Sequence, residues 1–106
     1  MQILMLLTHF FMTLDGDPMT HNPITIYTTN YCPYCTRAKD LLKTKGLTFT
    51  EIDVTDSPSL REEMVARSNG RRTVPQIFIA EHHVGGFDDL SHKHSTGQLD
   101  GLLKPA

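Results

Sequence analysis

The sequence predicts one α/β domain in which a central, mixed four-stranded sheet is flanked by helices. The chain has 106 residues, enough for one compact domain but too few for two of ordinary size. Hydrophobic residues make up 39% and charged residues 21%, close to the average for a folded globular protein. Segments with strand-like alternation are interleaved with segments of helical periodicity, which gives the order β-α-β-α-β-β-α.

The first half of this order is a β-α-β unit. Residues 24–27 and 47–54 alternate apolar and polar side chains and are predicted as strands. Between them, an amphipathic helix of about three turns ends near Gly46, and its apolar face carries Cys35, Ala38, Leu41 and Leu42. A strand, a helix and a strand joined in this way predict parallel pairing.

The second half begins with a helix that Ser57 caps and Pro58 opens, and that ends near Asn69-Gly70. Its apolar face carries Leu60, Met64 and Val65. Residues 74–80 and 83–85 are then predicted as a hairpin across Glu81-His82, which adds antiparallel strands to the sheet. Short helices are expected at residues 88–94 and 98–103.

The first eighteen residues differ from the rest of the chain. An apolar run over residues 3–12 is shorter than the roughly 20 residues that cross a bilayer. Its length suits a signal peptide, but no Lys or Arg precedes Arg37 and no small-x-small cleavage site follows. We therefore treat residues 1–18 as an N-terminal extension of uncertain status, with Met19 as the favoured start, and residues 19–106 as the domain.

Charge and cysteine content restrict the class of function. The net charge is −2 with mixed signs, so the sequence predicts no basic face for nucleic acid. The two cysteines lie three positions apart, whereas a secreted scaffold would join distant segments by several disulfides. We expect a cytoplasmic protein with no membrane or nucleic-acid partner.

Cys32-Pro33-Tyr34-Cys35 follows a predicted strand and opens a helix, which is the context of a redox-active dithiol. Unpaired N–H groups at a helix N-terminus stabilise a thiolate, by roughly 0.3–2 kcal/mol. We therefore predict that Cys32 is the nucleophile and that Cys35, one turn inside the helix, is the resolving thiol. Arg71 and Arg72 are the candidate cations that would add to this stabilisation.

A half zinc site and a purely structural disulfide are the two alternatives for this cysteine pair. Zinc needs two further ligands, and the available histidines do not form a recognised spacing with the cysteines and are expected on surface loops. These histidines are His82, His83, His92 and His94. The sequence therefore predicts no metal site.

Two further motifs accompany the cysteines. In Thr73-Val74-Pro75, a proline within a strand-like run indicates an edge, a bulge or a cis bond, and we predict a cis Val74-Pro75 bond. Backbone groups of Val74 would then be free beside Cys32 to pair with an extended peptide. In Gly85-Gly86-Phe87-Asp88-Asp89, a helix N-terminus could bind a carboxylate and an aspartate could bind an ammonium group, although helix capping is the better explanation of the aspartates when this motif is taken alone.

Together, Cys-Pro-Tyr-Cys at 32–35, Thr-Val-Pro-Gln-Ile-Phe-Ile at 73–79 and Gly-Gly-Phe-Asp-Asp-Leu at 85–90 resemble the dithiol glutaredoxins, in particular the short bacterial type. The resemblance covers about residues 23–104. It implies a thioredoxin-like fold and a glutathione-dependent thiol-disulfide oxidoreductase of cell redox homeostasis. Cys32 would attack the disulfide, Cys35 would resolve the mixed disulfide, and glutathione would be a reducing co-substrate regenerated by an NADPH-dependent reductase.

The resemblance also implies partners and a binding site. The expected partners are glutathione and proteins that contain disulfides or are glutathionylated. The protein is expected to be a monomer and to have no tightly bound cofactor. Glutathione removal would need Cys32 alone. The implied glutathione contacts are Tyr34, Thr73, Val74 and Pro75 along the groove, Phe87, Asp88 and Asp89 at the γ-glutamyl end, and Arg71 or Arg72 at the glycine carboxylate.

One departure and two rival functions follow from the same resemblance. Members commonly have a lysine three residues before the nucleophile, where this chain has Thr29, which implies weaker glutathione binding or a less reactive Cys32 unless Arg71 and Arg72 compensate. One rival is a module that holds an iron-sulfur cluster with glutathione, but such relatives usually lack Cys35, and Pro33 stiffens the loop. The other is thioredoxin itself, which Tyr34 and the lack of tryptophan argue against.

Overall fold

In the computed structural model, residues 21–105 are described, and they form a mixed four-stranded sheet flanked by helices. The strands are β1 (Ile24–Thr28), β2 (Thr50–Asp53), β3 (Gln76–Ile79) and β4 (His82–Gly85). The helices are α1 (Pro33–Thr44), α2 (Pro58–Arg67), α3 (Phe87–Thr96) and α4 (Gln98–Leu103). The predicted fold class is confirmed; residues 1–18, predicted as an extension, lie outside the described residues.

The strand order is β2-β1-β3-β4. Strand β1 pairs with β2 in parallel and with β3 antiparallel, and β3 pairs with β4 antiparallel. The chain therefore crosses over between β1 and β2 through α1, as the predicted β-α-β unit requires. The carboxyl end of β1 leads directly to the cysteine motif.

Both faces of the sheet are buried. Successive side chains of β1 and β3 point to opposite sides of the sheet, and those on each side pack into a core cluster. One core cluster contains Ile26 and Ile77 with apolar residues of α1, α3 and α4. The other contains Tyr27, Phe78 and Met64 of α2. Helix α2 thus covers one face, and α1, α3 and α4 cover the other.

The helix starts follow the sequence signals. Helices α1 and α2 each have a proline in the first turn, where a missing N–H leaves no hydrogen bond unmade. The Leu60 N–H donates to Ser57 Oγ at 3.2 Å, so the predicted cap is confirmed. The predicted apolar face of α1 is also confirmed, since Cys35, Ala38 and Leu42 are buried and Leu41 packs against the core.

Several predicted boundaries were wrong by a few residues. Strand β2 covers only 50–53 instead of 47–54, and β3 begins at Gln76 instead of Val74, because Pro75 has no N–H to donate to a ladder. Strand β4 begins at His82, since the turn is made at Ala80 with φ 52°. The cis Val74-Pro75 bond is confirmed.

The histidines were predicted on surface loops; His82, His92 and His94 are exposed as predicted, but all four lie in a strand or a helix, so the loop assignment was wrong. His82 and His83 lie in β4, where the His83 ring is half-buried and stacks on Phe78 at a centroid distance of 4.8 Å. His92 and His94 lie in α3. Within residues 21–105, no helix is both long enough and apolar enough to cross a membrane.

Candidate active site

Cys32 occupies the N-cap position of α1. Its backbone is extended, and its Sγ accepts a hydrogen bond from the Cys35 N–H at 3.1 Å. Its side chain is partly exposed, and both cysteines are free. The sulfur predicted from the sequence as the nucleophile is therefore accessible to a reagent and lies at the N-terminus of a helix.

Cys35 lies in the first turn of the same helix and is only 2% exposed. Burial raises the pKa of the Cys35 thiol to about 12, and its hydrogen bond with Cys32 acts in the same direction. The thiol therefore keeps its proton at neutral pH. Two cysteines on one turn of helix thus differ in exposure, since Cys32 is partly exposed and Cys35 is buried.

The loop before β3 lies beside the Cys32 sulfur. In its thiol form, Cys32 donates to the Val74 carbonyl oxygen, with a sulfur-to-oxygen distance of 3.7 Å. Val74 precedes the first ladder residue of β3, so its backbone is not part of the pairing with β1. A ligand held along Thr73 and Val74 would be adjacent to Cys32, the predicted nucleophile.

A groove of about 440 Å³ runs from this loop to the start of α3. It combines an aromatic wall with backbone from two loops and charges of both signs. Its lining residues are Tyr34, Arg71, Thr73, Val74, Pro75, Gly86, Phe87, Asp88 and Asp89.

The aromatic wall of the groove is formed by Tyr34 and Phe87. Their ring centroids are 6.2 Å apart, and the Tyr34 ring is 53% exposed. The Arg37 guanidinium lies over the Tyr34 ring, 5.2 Å from its centroid, which restricts that ring by a cation–π contact. The ring therefore presents apolar surface to the groove within two residues of Cys32.

The opposite end of the groove is the N-terminus of α3. Asp89 Oδ2 accepts from the Gly86 N–H at 2.9 Å and lies 3.4 Å from Arg71 Nη1. The Gly86 N–H lowers the pKa of the Asp89 carboxyl, and Arg71 adds to this effect. Gly85, with φ 119°, leaves room for that carboxylate, since a Cβ there would collide with it.

Apart from the two cysteines, the structure brings all but one of the predicted site residues to this groove. The exception is Arg72, whose Nη1 lies 3.6 Å from Glu62 Oε2 on α2 and which is not among the lining residues. Of the two predicted cations, only Arg71 faces the groove. Gly86 also lines the groove but was not among the residues predicted to contact glutathione, although the glycine pair of its motif was the signal that could have identified it.

Thr29, where the resemblance implied a lysine, is buried. It is 5% exposed, and its Oγ1 has no hydrogen-bond partner among residues 21–105. Its backbone contacts the Cys35 sulfur and lowers the pKa of that thiol, against the larger effect of burial. No positive charge is supplied from this position.

The glutaredoxin family model matches residues 24–84, more than half of the chain. A glutaredoxin of Pseudomonas aeruginosa is 56% identical over 81 residues, which are 76% of this chain and 95% of that protein. The solution structure of glutaredoxin from Brucella melitensis superposes with a TM-score of 0.71 at 53% identity, covering 80% of this chain and 91% of that one. A buckwheat glutaredoxin in complex with glutathione gives a TM-score of 0.70 at 29% identity, covering 86% and 84%.

Proposed function

The chain belongs to the glutaredoxin family of thiol-disulfide oxidoreductases, and from this premise we propose that it reduces glutathione mixed disulfides and protein disulfides with glutathione as electron donor. The observation that carries the proposal is the position of Cys32 Sγ, at a helix N-terminus and beside a groove of tripeptide size. The similarity to a buckwheat protein that binds glutathione supports the same ligand here.

In the proposed first step, the Cys32 thiolate attacks the glutathione sulfur of a mixed disulfide. The bond from Cys32 to glutathione forms as the original disulfide breaks, and the substrate leaves as a thiolate that takes a proton from water. A second glutathione thiolate then attacks the bound glutathione sulfur. This step releases oxidised glutathione and restores the Cys32 thiolate.

Protein disulfides need the second cysteine. Cys32 would attack one sulfur of the substrate, and Cys35 would then attack Cys32, which releases the reduced protein and leaves a Cys32–Cys35 disulfide for two glutathiones to reduce. Because the thiolate is the attacking species, the high pKa of Cys35 disfavours this step unless its proton is removed. Removal of glutathione through Cys32 alone is therefore the faster route in our proposal.

The groove residues have distinct tasks in this proposal. The backbone of Thr73 and Val74 would pair with the cysteinyl unit of glutathione, and Tyr34 with Phe87 would cover it. Arg71 would face the glycine carboxylate, and the Gly86–Asp89 turn would hold the γ-glutamyl end. Among residues 21–105, no specific observation favours the iron-sulfur alternative. We further propose that the protein is a monomer and that it acts in the cytoplasm.

A coupled assay with glutathione, glutathione reductase and a small glutathione mixed disulfide tests the proposal. Cys32→Ser should abolish NADPH consumption, whereas Cys35→Ser should retain most of it and should lose reduction of a protein disulfide. Serine can still cap α1, so circular dichroism should show both variants folded. Turnover by Cys32→Ser, or none by the wild type, would contradict the proposed function.

A further inference from the structure

A buried glutamine connects the groove to strand β4. Gln76 is fully buried at the start of β3, and its Nε2 donates to the Thr73 carbonyl at 3.0 Å and to Thr73 Oγ1 at 3.1 Å. Its Oε1 lies 2.7 Å from His83 Nε2. Both polar atoms of the Gln76 carboxamide therefore have partners, one in the loop that lines the groove and the other in strand β4.

The direction of each hydrogen bond follows from valence. The Thr73 carbonyl can only accept, so the amide nitrogen of Gln76 must face Thr73 and its oxygen must face His83. His83 therefore donates from Nε2, which it can do in both its neutral and its charged form. Burial and the neighbouring Arg71 lower the pKa of His83, which favours the neutral form with its proton on Nε2.

The same reasoning fixes the role of the Thr73 hydroxyl. Because Thr73 Oγ1 accepts from Gln76, the hydroxyl hydrogen points elsewhere. Thr73 is exposed and lines the groove, so this hydrogen is available to an acceptor on a bound ligand. Gln76 also fixes the Thr73 carbonyl, one residue before the Val74 carbonyl that contacts Cys32.

We propose that Gln76 and His83 are positioning residues for glutathione binding: His83 orients the Gln76 carboxamide, and Gln76 makes the Thr73 hydroxyl a hydrogen-bond donor directed to the ligand. The inference rests on the proposed function, and it deepens that function by assigning ligand affinity to two residues that do not line the groove. The His83 ring is held for this task by its stacking on Phe78, on the face of the sheet that α2 covers.

Steady-state kinetics with a small glutathione mixed disulfide test this inference. Gln76→Met removes both donors at nearly constant volume and should raise KM about fivefold, the loss expected for one net hydrogen bond to the ligand, with kcat nearly unchanged. His83→Phe keeps the stacking but not the N–H, and should raise KM about twofold. His82→Phe, at the exposed neighbouring position, is the matched control and should leave KM unchanged.

Double variants separate positioning from general loss of structure. If His83 acts through Gln76, His83→Phe should not raise KM further when Gln76→Met is already present. Once Thr73→Val has removed the hydroxyl, neither His83→Phe nor Gln76→Met should change KM. Alkylation of Cys32 by iodoacetamide, a reagent too small to need the groove, should proceed at the wild-type rate in every folded variant.

The inference and the proposed function fail in different ways. If the wild type does not turn over the mixed disulfide, the proposed function is wrong. If the wild type does so but Gln76→Met keeps its KM, or if the effects of Gln76→Met and Thr73→Val simply multiply, the positioning role is wrong. A Gln76→Met variant that unfolds leaves the decision to His83→Phe, whose KM must then rise in the wild-type background and stay unchanged in Thr73→Val.

Discussion

Helices α1 and α3 both begin at the groove, and each has its first turn capped by a side chain that can carry negative charge. At α1 the cap is the Cys32 sulfur, which accepts from the Cys35 N–H and remains partly exposed. At α3 it is the Asp89 carboxylate, which accepts from the Gly86 N–H and is paired with Arg71. At α1 the sulfur stays accessible to a substrate. At α3 the contacts of Asp89 with Gly86 and Arg71 fix the backbone where the helix begins.

The difference indicates how the groove divides its work. In the proposed function, the α1 end supplies the reacting atom, while the α3 end supplies a rigid boundary against which a ligand can be positioned. Changes at the α3 end should therefore affect folding and KM, and changes at the α1 end should affect the chemistry of the thiols.

The largest effect is expected at the α3 end, from Gly85→Ala. The added Cβ would collide with the Asp89 carboxylate. The fold would also force alanine to adopt φ 119°, a conformation that residues with a side chain disfavour. We expect a loss of about 2–4 kcal/mol in the free energy of unfolding, measured by urea denaturation. Gly101→Ala is the control, because it adds a Cβ in α4 with no atom within 4 Å; an equal loss there would contradict this account.

At the α1 end, the buried thiol makes stability depend on alkaline pH. The folded protein holds the Cys35 proton more tightly than the unfolded chain, so the resulting stabilisation is complete below pH 9 and is lost as the pH rises towards 12. The free energy of unfolding of the reduced wild type should be compared with that of Cys35→Ser. The wild-type value, taken relative to the variant, should fall by about 1 kcal/mol for each pH unit above 9. Parallel urea curves at pH 7, 9 and 10 measure this; a constant difference between the two proteins would contradict it.

The two predicted arginines provide the smallest and most specific comparison. Arg71 lines the groove and pairs with Asp89, whereas Arg72 pairs with Glu62 outside it. Arg71→Ala should raise KM for the glutathione mixed disulfide about threefold, through loss of a partly exposed charge contact. Arg72→Ala should leave KM within error. The opposite ranking would show that the glycine carboxylate does not lie beside Arg71.

Sequence was sufficient where one local signal determines the structure. Alternation predicted the sheet, Ser57-Pro58 predicted a capped helix start, and the dithiol motif predicted that Cys32 lies at a helix N-terminus. Strand ends were less predictable, because they depend on pairing: residues 47–49 alternate like β2, but the ladder with β1 begins at Thr50.

Contacts between distant segments were not predictable from local pattern. Neither the choice between Arg71 and Arg72 nor the burial of Thr29 follows from residue spacing, since each depends on how loops pack against helices. The Gln76 and His83 contact joins two strands through their side chains and is set by the register of β3 against β4. Gln76 has no motif of its own beyond its place after Pro75.

The central claim is that the Cys32 and Cys35 sulfurs differ in reactivity in the folded protein. The reduced protein should be treated with iodoacetamide at pH 7, and the labelled position should be identified by mass spectrometry of its peptides. We predict a single rapid modification at Cys32 and labelling of Cys35 only after denaturation, because Cys35 is buried and keeps its proton. An unreactive Cys32, or equal labelling of both cysteines in the folded protein, would contradict the account.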